Sequence, residues 1–207
     1  MRNPTVCSHP LLQDALSRLR DKDTPVAEFR DLMARAGLIL GLEALRRLNV
    51  KKTSVKTPLL PALAARVAEP VALIAVLRAG LGLMEGVSRL VPEAAHGHIG
   101  IYRNEETLSP VRYYVRLPRD LRRSLTIVCD PMLATGGSAA ESVRILKDEG
   151  ARRLVLLTLI AAEPGVRRFS REHPDVPVLT AGLDSRLNSR GYIVPGLGDA
   201  GDRMFGT

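Results

Sequence analysis

Residues 124–150, S-LTIVCD-PMLATGGS-AAESVRILKDEG, constrain this chain more than any other stretch. An apolar run of β type, Leu125 to Cys129, ends on the carboxylate of Asp130. A loop without bulky charge follows, and Thr135-Gly136-Gly137-Ser138 opens a segment of helical period whose apolar stripe is Val143, Ile145 and Leu146, with Gly150 as its stop. This predicts a strand–loop–helix unit. The free N–H groups and positive dipole end of such a helix attract an anion, most often a phosphate. Glycine at 136 and 137 removes Cβ atoms that would hold the anion off, and the hydroxyls of Thr135 and Ser138 add donors. A nucleotide-hydrolysing loop would carry Gly-Lys-Ser/Thr, and no lysine stands here. Asp130, just ahead of the cradle, suits the vicinal hydroxyls of a ribose. A sugar with a terminal phosphate fits both features, whereas a Gly-Gly turn alone would be an ordinary strand–turn–helix.

The string DPMLATGGS resembles the phosphoribosyl-pyrophosphate (PRPP) loop of type I phosphoribosyltransferases. Members of that family usually carry two acidic residues after the strand; here the second position is Pro131, which is similar to the uracil phosphoribosyltransferase branch. The resemblance implies that Asp130, Pro131, Met132, Leu133, Ala134, Thr135, Gly136, Gly137 and Ser138 bind PRPP. It also implies Mg²⁺ as cofactor. With Pro131 in place of an acid, the ion is expected mainly on substrate oxygens and no protein metal ligand is assigned.

A second unit of the same kind lies upstream. Pro70 to Leu77 is a near-continuous β run, as in a strand buried on both faces of a parallel sheet. It ends at Arg78-Ala79-Gly80-Leu81-Gly82 and leads into a helix reaching Leu90. The planar fork of Arg78 suits pyrophosphate oxygens; from spacing alone, a surface arginine ahead of a helix reads equally well. LRAG resembles the pyrophosphate loop of the same family, in which a cis peptide near the arginine is often found, so one is expected between Val76 and Gly80.

The remaining chain predicts further strands and helices in alternation, hence a mainly parallel sheet flanked by helices. Thr5–Cys7 reads as a short strand, and Ser8 as the cap of a helix holding Pro10, Leu12, Leu16 and Leu19. A longer helix runs from Thr24-Pro25 to about Leu48, Val50–Thr57 reads as an edge strand, and Pro58–Ala68 as another helix. His96 to Tyr102 is a strand whose His96 and His98 are read as structural, no third metal ligand being near. Arg103 to Thr107 begins a polar loop that returns through Val111–Leu117, with Val111, Tyr113, Val115 and Leu117 on one face. This pair is expected to form a protruding β-arm whose apolar face a second subunit covers, with Arg103 at its base facing the leaving pyrophosphate. Strands over Arg153–Ala162 and Val176–Leu183 flank a helix from Glu163 to about His173.

The glycine-rich tail, G-YIVPGLGDAGDRMFGT, is predicted to be a packed loop that is neither helix nor strand. It resembles the uracil-binding hood of uracil phosphoribosyltransferases, and HPLLQ, HIGIYR and DSRLNSRGYIVPG agree with that family. The implied reaction is uracil plus PRPP giving UMP and pyrophosphate, with Arg78, Arg103, Asp130 and Asp199 as catalytic groups. Asp199 either handles the N1 proton or only holds its turn. Uracil itself is expected on the backbone of Ile193, Gly198, Asp199 and Ala200. A likeness to some relatives leaves GTP as an allosteric effector, and implies a homo-oligomer, dimer or tetramer.

Composition bounds these readings. The 207 residues suffice for one domain, 1–207, with a core of its own. No apolar run reaches the ~20 residues of a membrane span and no signal-peptide layout opens the chain, so a cytoplasmic protein is expected. The two cysteines, Cys7 and Cys129, are expected as reduced thiols. The net charge of +8 comes as scattered arginine pairs without interleaved aromatics. That disfavours nucleic acid, and with it an RNA-binding pyrimidine-operon regulator of the same fold. The tail argues against a purine enzyme.

Overall fold

The structure, a computed structural model, describes residues 4–103 and 110–207. Its main sheet is built on the two apolar runs singled out above. β1 (Thr5–Val6), β4 (Val71–Leu77), β5 (Ala95–Arg103), β6 (Pro110–Arg116), β7 (Leu125–Cys129), β9 (Arg153–Ala162) and β10 (Val178–Asp184) stand in the order β1-β10-β9-β7-β4-β5-β6. The short β8 (Met132–Leu133) pairs with β9. Every pair is parallel except β5 with β6. All five residues of β7 and the first six of β4 are buried, which is why both strands read as unbroken apolar runs.

α1 (Pro10–Arg20), α2 (Val26–Leu45) and α3 (Gly80–Ser88) cover one face, where Phe29, Leu32, Met33 and Leu40 are wholly buried with Leu73, Ile127 and Leu157. α4 (Gly137–Asp148) and α5 (Glu163–Glu172) cover the other, around Ile74, Val128, Val143 and Phe169. The chain leaves β4 through α3 for β5 on one side, and leaves β7 through α4 for β9 on the other. Strand order therefore reverses between the neighbours β4 and β7. Open α/β sheets bind ligands at the carboxyl ends of strands beside such a reversal.

Four expectations are corrected here. Pro58–Ala68 is no helix: β3 (Pro61–Val67) pairs antiparallel with β2 (Val50–Lys56) as a two-stranded sheet of its own. Leucines and alanines suit a helix by propensity, but cross-strand pairing with β2 overrides it. The turn is tied by Thr57, whose hydroxyl accepts from the N–H of Leu60 (3.2 Å) and donates to its carbonyl (2.7 Å). This hairpin, with Leu59 91 % and Leu63 96 % exposed, stands apart from the main sheet; β5 and β6 instead form the edge of that sheet. Within β6, Tyr113 forms a bulge, because Gly100 faces Tyr114 while Ile101 faces Arg112. The bulge breaks the expected alternation, and Tyr113 turns its ring toward Tyr102, centroids 6.2 Å apart.

The cap of α1 is His9 rather than Ser8; its Nδ1 accepts from the N–H of Leu11 at 3.2 Å. The tail holds regular structure after all: β12 (Ile193–Val194) pairs with β11 (Arg186–Leu187), and α6 (Ala200–Phe205) follows. α6 exists because Asp199 caps it and Gly206, at φ +72°, closes it by donating to the carbonyl of Asp202 at 2.7 Å.

Candidate active site

The carboxyl ends of β4 and β7 open into a cavity of about 940 Å³. Arg78 follows β4 and Asp130 follows β7, so the pairing of these strands brings the guanidinium loop and the carboxylate to one edge. The Leu77–Arg78 peptide is cis, at the place expected for it. α4 opens toward the same space with Gly136 at φ +79° as its N-cap and no side chain capping it. Its first N–H groups have no intrahelical acceptors by geometry, and no acidic residue stands in the first turn. An anion is the natural partner there.

Asp130 is 8 % exposed. Burial, offset in part by hydrogen bonds from Met132 N–H (3.4 Å) and Ser138 Oγ (3.3 Å), pushes its pKa up to about 6. Ser138 thus serves the cradle and the carboxylate at once. Arg78, half exposed, donates to Asp202 Oδ1 at 2.9 Å and to Thr207 Oγ1 at 3.4 Å, and lies 5.4 Å from the ring centroid of Phe205. Its resting partner is therefore the tail helix. Asp199 accepts from the N–H groups of Gly201 (2.8 Å) and Asp202 (3.0 Å), both on Oδ1.

Of the residues expected to bind ligand, Arg78, Asp130, Met132, Ala134, Thr135, Gly137, Ser138, Ile193, Gly198, Asp199 and Ala200 line the cavity. Pro131, Leu133 and Gly136 do not. Pro131 turns its carbonyl to β9, accepting from the N–H groups of Leu159 and Ile160 at 3.0 Å, and Leu133 is buried in the core. Gly136 supports the cradle from behind: a Cβ there would stand 2.8 Å from the carbonyl oxygen of Gly165. The Arg103 side chain, and the loop at 104–109 to which the polar residues Asn104–Thr107 belong, lie outside the described residues.

Sequence reasoning assigned no ligand role to Tyr102, Tyr113, Arg190, Tyr192, Gly201 and Asp202, which also line the cavity. Tyr113 reaches it through the bulge, which no periodicity reveals. Asn188 shapes the β11–β12 turn by accepting from the N–H groups of Arg190 (3.0 Å) and Tyr192 (2.9 Å); the Asn-Ser-Arg-Gly string was the available signal.

The chain that builds this sheet edge matches known proteins over nearly its whole length. The profile of the uracil phosphoribosyltransferase family covers residues 6–207. The chain belongs to that family. Uracil phosphoribosyltransferases of Thermus thermophilus (47 % identical over 204 residues, 98 % of either chain) and Paracoccus denitrificans (50 % identical over 204 residues, 98 % of this chain and 97 % of the other) are among its relatives. The solved structure of an Aquifex aeolicus protein, 35 % identical, superposes with a TM-score of 0.93 over 98 % of both chains. Hypoxanthine phosphoribosyltransferase of Staphylococcus aureus, 10 % identical, superposes at 0.53 over 76 % of each chain and shares the fold alone.

Proposed function

We propose that this protein transfers the phosphoribosyl group of PRPP to uracil, giving UMP and pyrophosphate. What supports this reading is the meeting, in one cavity, of an anion-seeking helix start, a buried carboxylate, an arginine and a glycine-rich main chain. The 5′-phosphate sits on the N–H groups of Thr135 to Ser138, and Asp130 accepts from the ribose hydroxyls. Arg78 and Arg103 face the pyrophosphate. As the C1′–O bond breaks, the leaving pyrophosphate takes the electron pair and gains charge, which fixed guanidinium groups stabilise more in the transition state than in the ground state. The C1′–N1 bond forms as N1 gives up its proton, which leaves on the departing pyrophosphate. Asp199 lies at the cavity, but its bonds to Gly201 and Asp202 favour a capping role over that of a base.

Among the described residues no cluster of three or more His, Cys, Asp or Glu could hold a metal ion. Asp130 and Asp202 already serve other donors. That donor set suits magnesium carried on substrate oxygens, where it would add charge neutralisation at the pyrophosphate. No helix among the described residues is long and apolar enough to cross a membrane; a cytoplasmic homo-oligomer, with GTP as an effector to be tested, completes the proposal.

Uracil is read by backbone: an N–H at Ile193 or Ala200 donates to a uracil carbonyl and the Gly198 carbonyl accepts from N3–H. Cytosine inverts both contacts, a mismatch worth roughly 10⁴-fold. A PRPP-dependent assay with uracil, cytosine, hypoxanthine and orotate in parallel tests the whole reading. Turnover confined to uracil supports it, and an inactive protein that shifts operon-leader RNA in a gel would replace it with the regulator.

Arg78 must exchange Asp202 for pyrophosphate on binding PRPP. Both partners are about half exposed, so the pair is worth no more than ~1 kcal/mol. Asp202→Asn is therefore expected to tighten PRPP binding up to about fivefold, read by titration calorimetry. Weaker binding in this variant would mean that Asp202 helps PRPP rather than competing with it.

A further inference from the structure

The tail segment that carries Gly198 and Ala200 is tied down from behind by the guanidinium of Arg203. Arg203, in α6, donates through Nη1 to the carbonyls of Leu197 (2.9 Å) and Leu19, and through Nη2 to the carbonyl of Asp21. Its plane lies over Phe29, 4.5 Å from the ring centroid. Leu19 lies in the last turn of α1, where carbonyls lack intrahelical donors and form the negative end of the helix dipole, and Asp21 is the residue that caps that end. Leu197 immediately precedes Gly198. One side chain thus connects the end of α1, a core aromatic of α2 and the loop at the cavity. Neighbouring arginines reinforce the same strip. Arg20 grips Asp184 with both nitrogens (2.9 and 2.7 Å) and donates to the carbonyl of Gly196 at 2.8 Å; Arg30 donates to the carbonyl of Met204 at 2.7 Å.

Apolar burial also holds the tail, since Leu197, Ala200 and Met204 are 4 %, 3 % and 6 % exposed. Burial has no preferred direction, however, and tolerates small slides of the backbone. Hydrogen bonds tolerate much less in distance and angle. A backbone reader cannot correct its aim by changing rotamer, so its register must be set by directional contacts to its own main chain. The carbonyl of Leu197 receives such a contact.

We propose that Arg203 is a positioning residue for base selection, fixing the main chain at Leu197 so that Gly198 and Ala200 meet uracil and reject cytosine. This rests on the reading that the tail backbone recognises the base. Arg203 does not touch the substrate.

The test is Arg203→Met, which keeps the aliphatic stem and removes the donors, beside Arg203→Lys. Hydrogen–deuterium exchange is read over 193–207, together with uracil KM, the uracil-to-cytosine ratio of kcat/KM, and PRPP affinity without uracil. Arg203→Met is expected to speed exchange in 196–203 but not in the central strands. Uracil KM should rise and the ratio fall by roughly tenfold each, the scale of one charged hydrogen bond, with PRPP affinity unchanged. Arg203→Lys should recover part of both. Should Arg203→Met fail to fold, Arg203→Lys carries the test alone: it keeps the charge and one nitrogen but cannot reach all three carbonyls, and should give the same changes in weaker form. Unaltered exchange in the tail overturns the clamp, and a loosened tail with wild-type KM and ratio overturns the positioning role. A wild-type protein that makes no UMP would refute the proposed function instead, leaving the exchange data to judge the clamp.

Discussion

Asp130→Asn is expected to raise the melting temperature at pH 8 while cutting PRPP affinity by roughly 10²–10³-fold, the worth of two charge-assisted hydrogen bonds to ribose hydroxyls. Burial is the dominant influence on this carboxylate, and the two hydrogen bonds it accepts, at 3.4 and 3.3 Å, only partly offset it. The folded protein therefore holds the proton to about pH 6, against 3.8 for the ordinary side chain. The stabilising contribution of this group is fully present below pH 3.8 and is lost as pH rises through 6. Above that, the buried charge costs on the order of 1–3 kcal/mol, which asparagine avoids: its Oδ1 can still accept from Met132 N–H, and its Nδ2 donates to Ser138 Oγ where the carboxylate accepted. For a chain of this size that corresponds to several degrees in Tm. Substrate binding runs the opposite way, because the ribose needs the carboxylate. Wild-type affinity for PRPP should weaken below pH 6 more steeply than titration of PRPP itself explains, and the variant should lack that extra slope. A variant less stable than wild type at pH 8 would overturn the cost assigned to the buried charge, and one with unimpaired PRPP binding would remove Asp130 from the ribose site. On the proposed function, Asp130 is a local instability kept for ribose binding.

Gly165→Ala should damage the site from outside it. Gly165 opens α5 and lies against the back of the phosphate cradle, so that a Cβ there would stand 2.3 Å from the carbonyl oxygen of Ala134 and 2.6 Å from that of Leu133. Gly136 repeats the contact from the other side, its own Cβ position lying 2.8 Å from the Gly165 carbonyl. Both partners are main chain, so no rotamer change relieves the overlap. The loop or the helix must move by about an ångström, a strain of roughly 1–3 kcal/mol. Because Ala134 leads directly into Thr135–Ser138, that movement misaligns the N–H groups of the cradle. PRPP affinity is expected to fall by about a hundredfold or more in a protein that still melts cooperatively, a displacement of this size being enough to misplace bound substrate. Calorimetric titration and a thermal melt on the same preparation check it. Affinity within threefold of wild type would show that cradle and helix are not rigidly coupled.

These two residues illustrate different legibility. Asp130 was readable because everything that gives it meaning lies within nine residues: an apolar strand, the acid, and glycines at a helix start. The strand ahead of Arg78 was readable in the same way, but a ligand role for the arginine came only from the resemblance of LRAG, and the tail's glycines marked main chain able to come close to a ligand. Gly165 reads as an ordinary residue at a helix start, since its partners Ala134 and Leu133 lie 31 and 32 positions earlier and meet it through their backbone. Pro131, Leu133 and Gly136 shared the string with the cavity-lining residues, but strand pairing with β9 turned the first two inward.

The sequence by itself determined the two strand–loop–helix units, the parallel character of the sheet and the chemistry at its edge. Those are properties of short windows, where periodicity and turn residues act locally. Only the tertiary structure decided that β4 and β7 are neighbours, that Pro61–Val67 pairs as a strand, that the bulge brings Tyr113 to the cavity, and that Arg203 ties the tail to the end of α1. Each of these depends on groups far apart in the chain that meet through hydrogen bonds to backbone or close packing, and such bonds leave almost no trace in side-chain pattern, because every residue type except proline carries the same main-chain donor and acceptor.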